Sequence, residues 1–213
     1  MLSDNKMDES KIDRCLICFG DLQEGISFFD YFKKMDCICG LCAQKFKLIK
    51  KEIDINGMRV FALYEYDDYL EDLMFTFKEN KDVALYPVFL NKHTKFLKKK
   101  YRKATLVFAP SSIEKEAERG FQTLPLLFRG LNLSSKQVFE KKRTYKQSSQ
   151  QFANRKDIKN VITLKKGVPL PKQIVLVDDM CTSGETLRTM YELVKQQTNV
   201  RIFTIAINKK LLK

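Results

Sequence analysis

The chain has 213 residues, 44% apolar and 31% charged, enough apolar content for a core and too much for a disordered chain. No apolar run reaches the length that spans a bilayer, and the polar start MLSDNKMDESKIDRC lacks the apolar stretch of a secretory signal, so the sequence reads as a soluble cytoplasmic protein. Basic residues outnumber acidic ones 39 to 26, a formal charge of +13, which favours a polyanionic partner such as nucleic acid, free phosphates or an anionic membrane surface.

Residues 1–13 read as a tail, 14–46 as a cysteine-rich unit, and 47–213 as one domain of alternating strands and helices. Five of the six cysteines lie between Cys15 and Cys42. In a reducing compartment, dense local cysteine points to metal rather than to disulfides. Cys15-Leu-Ile-Cys18 and Cys39-Gly-Leu-Cys42 are two C-x2-C pairs with 20 residues between them. Each pair presents two thiolates to one Zn²⁺, and two pairs complete a closed, structural tetrahedral site. Cys37 has less usual spacing to either partner and reads as a spare. Such a site folds a unit too small for a core of its own.

Further along, Gly57–Tyr64 (GMRVFALY) reads as a strand after a turn. Asp67–Phe77 carries Leu70, Leu73, Met74 and Phe77 at helical spacing, with Asp67 and Asp68 at the positive end of the helix dipole. Val83–Leu97 reads as a second helical stretch, with Pro87 tolerable only near its first turn. Thr105–Ala109 (TLVFA) is a buried strand ended by Pro110. Ser111–Phe128 is helical in its early part and interrupted by Pro125, and Ser134–Phe139 reads as a strand. Gln173–Val177 (QIVLV) is a continuous apolar strand, as expected where both sheet faces are covered. Gly184–Gln197 is an amphipathic helix with Leu187, Tyr191 and Val194, and Val200–Ile207 is the last strand. The alternation implies βαβ units in an α/β fold with a doubly wound, mostly parallel sheet.

The segment VLVDDMCTSGET holds the densest chemistry. A buried strand runs into Asp178 and Asp179, and a short turn, Met180–Gly184, leads into a helix. Ligands of open α/β sheets bind at the carboxyl ends of the strands. Backbone N–H groups around Thr182, Ser183 and Gly184 converge there, a nest for a phosphate dianion helped by the helix N-terminus. Gly184 permits close approach, and Thr182, Ser183 and Thr186 add hydroxyl donors. The two carboxylates can accept hydrogen bonds from sugar hydroxyls or help hold Mg²⁺. Cys181 belongs to the same turn and is counted with its cofactor-binding positions, as a small residue with an inert thiol. His93, the single histidine, lies in a basic helical stretch and is a poor candidate for catalysis.

This run resembles the phosphoribosyl pyrophosphate motif of type I phosphoribosyltransferases, a hydrophobic stretch followed by two acids and a Thr-Ser-Gly-x-Thr turn. The resemblance implies that Asp178 and Asp179 serve the ribose hydroxyls, that Thr182–Thr186 wrap the 5′-phosphate, and that Mg²⁺ accompanies phosphoribosyl pyrophosphate. Together with a zinc ribbon over 14–46, the whole chain resembles the ComF (ComFC) family of competence proteins. Glu118-Arg119-Gly120-Phe121-Gln122 follows Val107-Phe108-Ala109-Pro110 as a similar segment does in that family. Arg143-Thr144-Tyr145-Lys146-Gln147 precedes Asn154-Arg155-Lys156, and Tyr64–Asp82, ending FKENKD, resembles the family's LKFxGD segment. Gln122 stands where Asn is usual, and Ser111-Ser112 also departs from the pattern.

The resemblance implies a role in natural transformation, handling single-stranded DNA beside a ComFA-type helicase and a DprA-type recombination mediator. The basic segments favour nucleic acid independently: Lys98, Lys99, Lys100, Arg102, Arg119, Arg143 and Arg155 are the candidate phosphate contacts. Phe96, Tyr101 and Tyr145 lie among them, as core residues or as platforms for bases. Two functions follow. One is a DNA-uptake protein that retains a phosphoribosyl pyrophosphate pocket; the other is a working phosphoribosyltransferase in nucleotide salvage. The absence of an evident nucleobase hood favours the first, and fold alone does not decide.

Overall fold

In the computed structural model of the protein, the described residues are 13–23, 37–141 and 162–212. A short helix α1 (Gly40–Gln44) follows the cysteine turns. The sheet begins with β1 (Leu48–Ile55) and β2 (Met58–Tyr66), then α2 (Asp68–Lys78), α3 (Tyr86–Leu90) and α4 (Thr94–Tyr101) lead to β3 (Thr105–Phe108). Helices α5 (Ile113–Arg119) and α6 (Thr123–Phe128) precede β4 (Phe139–Lys141), and β5 (Ile162–Leu164) precedes β6 (Gln173–Cys181), α7 (Glu185–Val194) and β7 (Asn199–Asn208).

Five strands form the central sheet in the order β1-β2-β7-β6-β3. Strands β2, β7, β6 and β3 run parallel, and β1 joins β2 antiparallel as an edge. The fold is therefore α/β with a mostly parallel sheet. Val175, Leu176 and Val177 are all fully buried, and since successive side chains of a strand point to opposite faces, both faces of the sheet are covered. Strands β4 and β5 form a separate antiparallel pair.

The sequence reading missed β1. Its burial alternates only weakly because it is an edge strand rich in lysine and acid, a composition that protects an exposed edge. Its hairpin was nevertheless legible. Asn56 (φ 52°) and Gly57 (φ 80°) both take the left-handed conformation that a two-residue Asn-Gly hairpin turn requires, and Asp54 Oδ1 accepts the Gly57 N–H at 2.7 Å. The stretch 83–97 is not one helix: it is broken by 3₁₀ turns at Val83–Leu85 and Asn91–His93. Gly120 (φ 81°) ends α5, and Pro125 sits in the first turns of α6, so the glycine rather than the proline breaks that region. Ser134–Phe139 is only partly a strand; Leu106 exchanges backbone bonds with Ser134 and Lys136, at 2.9 Å each, before the short β4 begins.

Candidate functional site

The cysteine unit is built from two turns. The Sγ atoms of Cys15, Cys18, Cys39 and Cys42 all lie within 4.8 Å of one another, and those of Cys18 and Cys39 are 3.7 Å apart. Tetrahedral zinc with Zn–S bonds of about 2.3 Å places its sulfurs about 3.8 Å apart, so the four fit the ion. Backbone N–H groups of Ile17 and Cys42 point at the Cys15 and Cys39 sulfurs at 3.4 and 3.5 Å, as in metal-binding knuckles. Burial pushes the Cys15 thiol up, but the N–H groups of Cys18, Cys39 and Ile17 outweigh it and bring the group down to about 7. Cys37 is buried outside this set of four, and its carbonyl accepts the Leu16 N–H at 3.0 Å. The unit is joined to the sheet domain through Phe46, whose ring lies 5.1 Å from Tyr64 and 5.4 Å from Tyr69.

The acidic pair sits inside β6 rather than after it. Strand β6 continues to Cys181, opposite Ile207 of β7, but its pairing with β3 stops at Phe108↔Val177. Beyond Val177 the strand keeps a neighbour on one side only among the described residues, and this stretch carries Asp178, Asp179, Met180 and Cys181. The turn is shorter than the sequence reading, Thr182–Gly184 instead of Met180–Gly184, and the helix starts at Glu185. Gly184 has φ 77°. A Cβ there would only reach ordinary contact with Ile55 at 3.5 Å, so the backbone conformation, not space, calls for glycine. Arg188 Nη2 donates to the Ile55 carbonyl at 3.1 Å and ties the start of α7 to β1. The first N–H groups of α7 have no acceptor within the helix, and Thr182, Ser183 and Thr186 stand around them.

Each carboxylate is pinned by the next backbone amide: Asp178 Oδ1 accepts from Asp179 N at 3.0 Å, and Asp179 Oδ1 from Met180 N at 2.8 Å. Burial pushes Asp178 up to about 7, helped by the neighbouring Asp179 charge and opposed by Lys78. Lys78, at the end of α2, places its Nζ 2.5 Å from Asp179 Oδ2. The sequence reading missed this partner. Tyr66, at the end of β2, is also raised, to about 12, first by burial and then by Glu71, with Asp179 adding to the effect.

Other candidates fall elsewhere. The Cys181 side chain is buried against Gly184 of the turn, and burial followed by Asp178 raises its thiol to about 12 against the opposing Gly184 amide; it is an inert, mostly protonated thiol. His93 is buried edge-on against Tyr64 at 5.6 Å. Tyr101 is 1% exposed, so it packs in the core and offers no face to a base, and Phe96 lies against Phe61 at 5.7 Å. Lys98, Lys99 and Lys100 lie on α4, with Lys99 and the following Arg102 exposed. Lys100 is engaged with Glu52 at 3.3 Å and lies 4.3 Å over Phe61. The structure also brings Lys50 of β1 to this helix, 4.2 Å over Phe96. Arg119 is away from α4: it pairs with Glu79 at 2.5 Å beside the acidic pair's lysine. Arg143 and Arg155, with Tyr145, lie outside the described residues. No described helix is long and apolar enough to cross a membrane.

Residues 117–210 match the phosphoribosyl transferase domain family. Among curated proteins, the competence protein ComFC of Streptococcus pneumoniae (strain ATCC BAA-255 / R6) is 24% identical over 207 residues, covering 86% of this chain and 94% of that protein. ComFC of Bacillus subtilis (strain 168) is 28% identical over 128 residues, covering 59% of this chain and 53% of that protein. Among solved structures, an adenine phosphoribosyltransferase is similar with a TM-score of 0.44 and 18% identity over 80% of this chain and 91% of its own. A hypoxanthine phosphoribosyltransferase from Staphylococcus aureus follows with a TM-score of 0.39 and 13% identity over 61% and 66%. The family match spans the acidic pair and its turn, and the similarity to the first ComFC runs through most of both chains; the chain accordingly carries a phosphoribosyl transferase domain over residues 117–210 and is similar to ComFC competence proteins.

Proposed function

We propose that the protein is a cytoplasmic competence factor that binds single-stranded DNA and holds Mg²⁺-phosphoribosyl pyrophosphate at the end of β6, with zinc in its four-cysteine cluster. The observation that carries the ligand reading is the coincidence of two pinned carboxylates on the one-sided end of β6 with the Thr182–Gly184 turn opening α7. Asp178 and Asp179 accept from the ribose hydroxyls. Thr182, Ser183 and Thr186, with the first N–H groups of α7, take the 5′-phosphate. Mg²⁺ bound with the diphosphate would neutralise it, held by the same carboxylates. Cys15, Cys18, Cys39 and Cys42 hold Zn²⁺, which leaves no open position for chemistry.

Calorimetry with Mg²⁺ and phosphoribosyl pyrophosphate tests the pocket. Native protein gives binding heat, and Asp178→Ala/Asp179→Ala weakens it at least tenfold; no heat with native protein overturns the reading. Pyrophosphate release, with and without DNA and free nucleobases, separates binding from transfer to a base. The nucleic-acid face comprises Lys98, Lys99 and Arg102 of the α4 region, with Lys50 of β1 seated on Phe96 of the same helix. Charge reversal at Lys98, Lys99 and Arg102 weakens binding of single-stranded oligonucleotides and flattens its salt dependence. A ComFA-type helicase and a DprA-type mediator are the protein partners this role calls for, and co-purification with each from transforming cells tests them.

A further inference from the structure

The ion pair beside Asp179 carries more than local stability. Lys78 Nζ and Asp179 Oδ2 are 2.5 Å apart, and the two side chains are only 13% and 17% exposed. The other Asp179 oxygen is taken by the Met180 amide. Both oxygens of that carboxylate are therefore engaged within the protein, one of them by a full positive charge. A divalent ion arriving alone meets an occupied seat. Mg²⁺ dehydrates reluctantly and is usually held by one or two carboxylates together with substrate phosphates, so a bare ion gains little by displacing an ammonium from this position.

Lys78 is also held from both sides along the chain. Phe77 is fully buried, with its ring 5.3 Å from Phe121 and 5.8 Å from Phe89. Glu79 accepts from Arg119 Nη2 at 2.5 Å, and Arg119 is itself 13% exposed. The α5–α6 junction, which carries Arg119 and Phe121, thus clamps the end of α2 on either side of the lysine. An exposed arginine tracking DNA would not be tied down in this way.

We propose that Lys78 sets the specificity of the acidic pair: its ammonium occupies the cation seat beside Asp179, so that the pair refuses a free divalent ion and admits Mg²⁺ only with a ligand whose phosphate oxygens draw the ammonium away. Arg119, through Glu79, is the positioning residue that keeps Lys78 there. The inference rests on the phosphoribosyl reading of the site, and it assigns Arg119 to that site instead of to the DNA face. The long, flexible lysine stem suits the exchange, because a point charge with rotatable donors can swing from carboxylate to phosphate.

Titration of zinc-loaded, full-length protein with Mn²⁺ alone, read by the loss of the free-ion paramagnetic resonance signal, tests this without phosphoribosyl pyrophosphate. Lys78→Met binds Mn²⁺ at least tenfold more tightly than native protein, Lys78→Arg stays near native, and Lys78→Met/Asp179→Asn loses the gain. Arg119→Ala and Glu79→Gln each show part of the gain, and neither adds to Lys78→Met. Equal Mn²⁺ affinity in native protein and Lys78→Met, with unchanged circular dichroism, overturns the proposal. Should Lys78→Met not fold, absence of any gain in both Arg119→Ala and Glu79→Gln overturns it instead. Missing calorimetric heat with phosphoribosyl pyrophosphate sinks the phosphoribosyl reading separately, because the Mn²⁺ titration does not use that ligand.

Discussion

The cysteine cluster and the acidic pair both crowd like-charged groups, and they differ in what makes the crowding tolerable. Four sulfurs within 4.8 Å of one another come from a turn and a short capped helix; once ionised, those thiolates would need a metal to stay together, so in the proposed zinc site the ligand organises the chain. The two carboxylates come from adjacent positions of a buried strand whose β7 partner holds the backbone regardless of ligand. A lysine from another helix supplies the countercharge. With zinc in the cluster as proposed, geometry in the first region depends on an ion, and in the second on the sheet. Removing the organising cation should therefore collapse the first and only strain the second.

The largest expected effect is on the cysteine cluster. Structural zinc sites carry about 10–16 kcal/mol of apparent binding free energy, so Cys39→Ser should lose zinc on dialysis and expose the N-terminal unit to proteolysis. Cys37→Ser should keep its metal. Atomic absorption on the dialysed proteins decides, and zinc loss in Cys37→Ser would bring that residue into the ligand set. Next in size is Lys78→Met, which leaves Asp179 without its countercharge in a mostly enclosed place. Breaking a fully buried pair costs about 3–5 kcal/mol, and for this partly open one about 2–3 kcal/mol is expected in urea unfolding at neutral pH. A loss below about 0.5 kcal/mol would class the pair with ordinary surface bridges and erase the contrast between the two regions.

Asp178 sharpens the comparison through pH. Its folded value, about 7, lies above the usual aspartate value of about 3.9. Between those values the folded chain keeps a proton that the unfolded chain has lost. Stability therefore falls as pH rises from about 4 to about 7 and levels off above. Asp178→Asn mimics the protonated side chain. It should match native stability near pH 4 and exceed it increasingly as pH rises to about 7 and above, as read from urea midpoints. A pH-independent difference would mean that the strand does not burden its carboxylate.

The two regions also differ in how far the sequence reveals them. The cysteine cluster was legible because its two pairs repeat at a spacing that one metal would impose, and the same spacing set Cys37 aside. The acidic pair and the Thr-Ser-Gly turn were legible because strand, acids, turn and helix are consecutive, though where β6 ends was not. The strand reaches Cys181 because β7 is long enough to pair with it, which depends on a neighbour and not on local residues. Lys78 was hidden for the same reason: nothing near FKENKD announces that its lysine meets a carboxylate brought by a distant strand. Arg119 looked like one of many surface cations until its contact with Glu79 placed it. The sheet's parallel core was readable from apolar runs such as QIVLV. Strand β1 was obscured by its edge composition, although Asn56-Gly57 marked its hairpin.

The smallest expected effect concerns the turn that closes α2 just beyond the lysine. Lys81 adopts φ 60°, the left-handed conformation that costs a residue with a Cβ about 1–2 kcal/mol; the resembling family segment LKFxGD places glycine at this point. The turn is otherwise well tied, with Val83 N donating to the Lys81 carbonyl at 2.9 Å and Ala84 N to Asp82 Oδ1 at 3.2 Å. Glycine removes the strain but adds about 0.5–1 kcal/mol of unfolded-state entropy, so Lys81→Gly should raise stability by roughly 0.5 kcal/mol. Lys81→Ala should not, because it keeps the Cβ. If the two variants are equally stable in urea, the conformation at residue 81 is not a cost that the fold carries, and the seating of Lys78 rests on the Phe77 and Glu79 contacts without help from this turn.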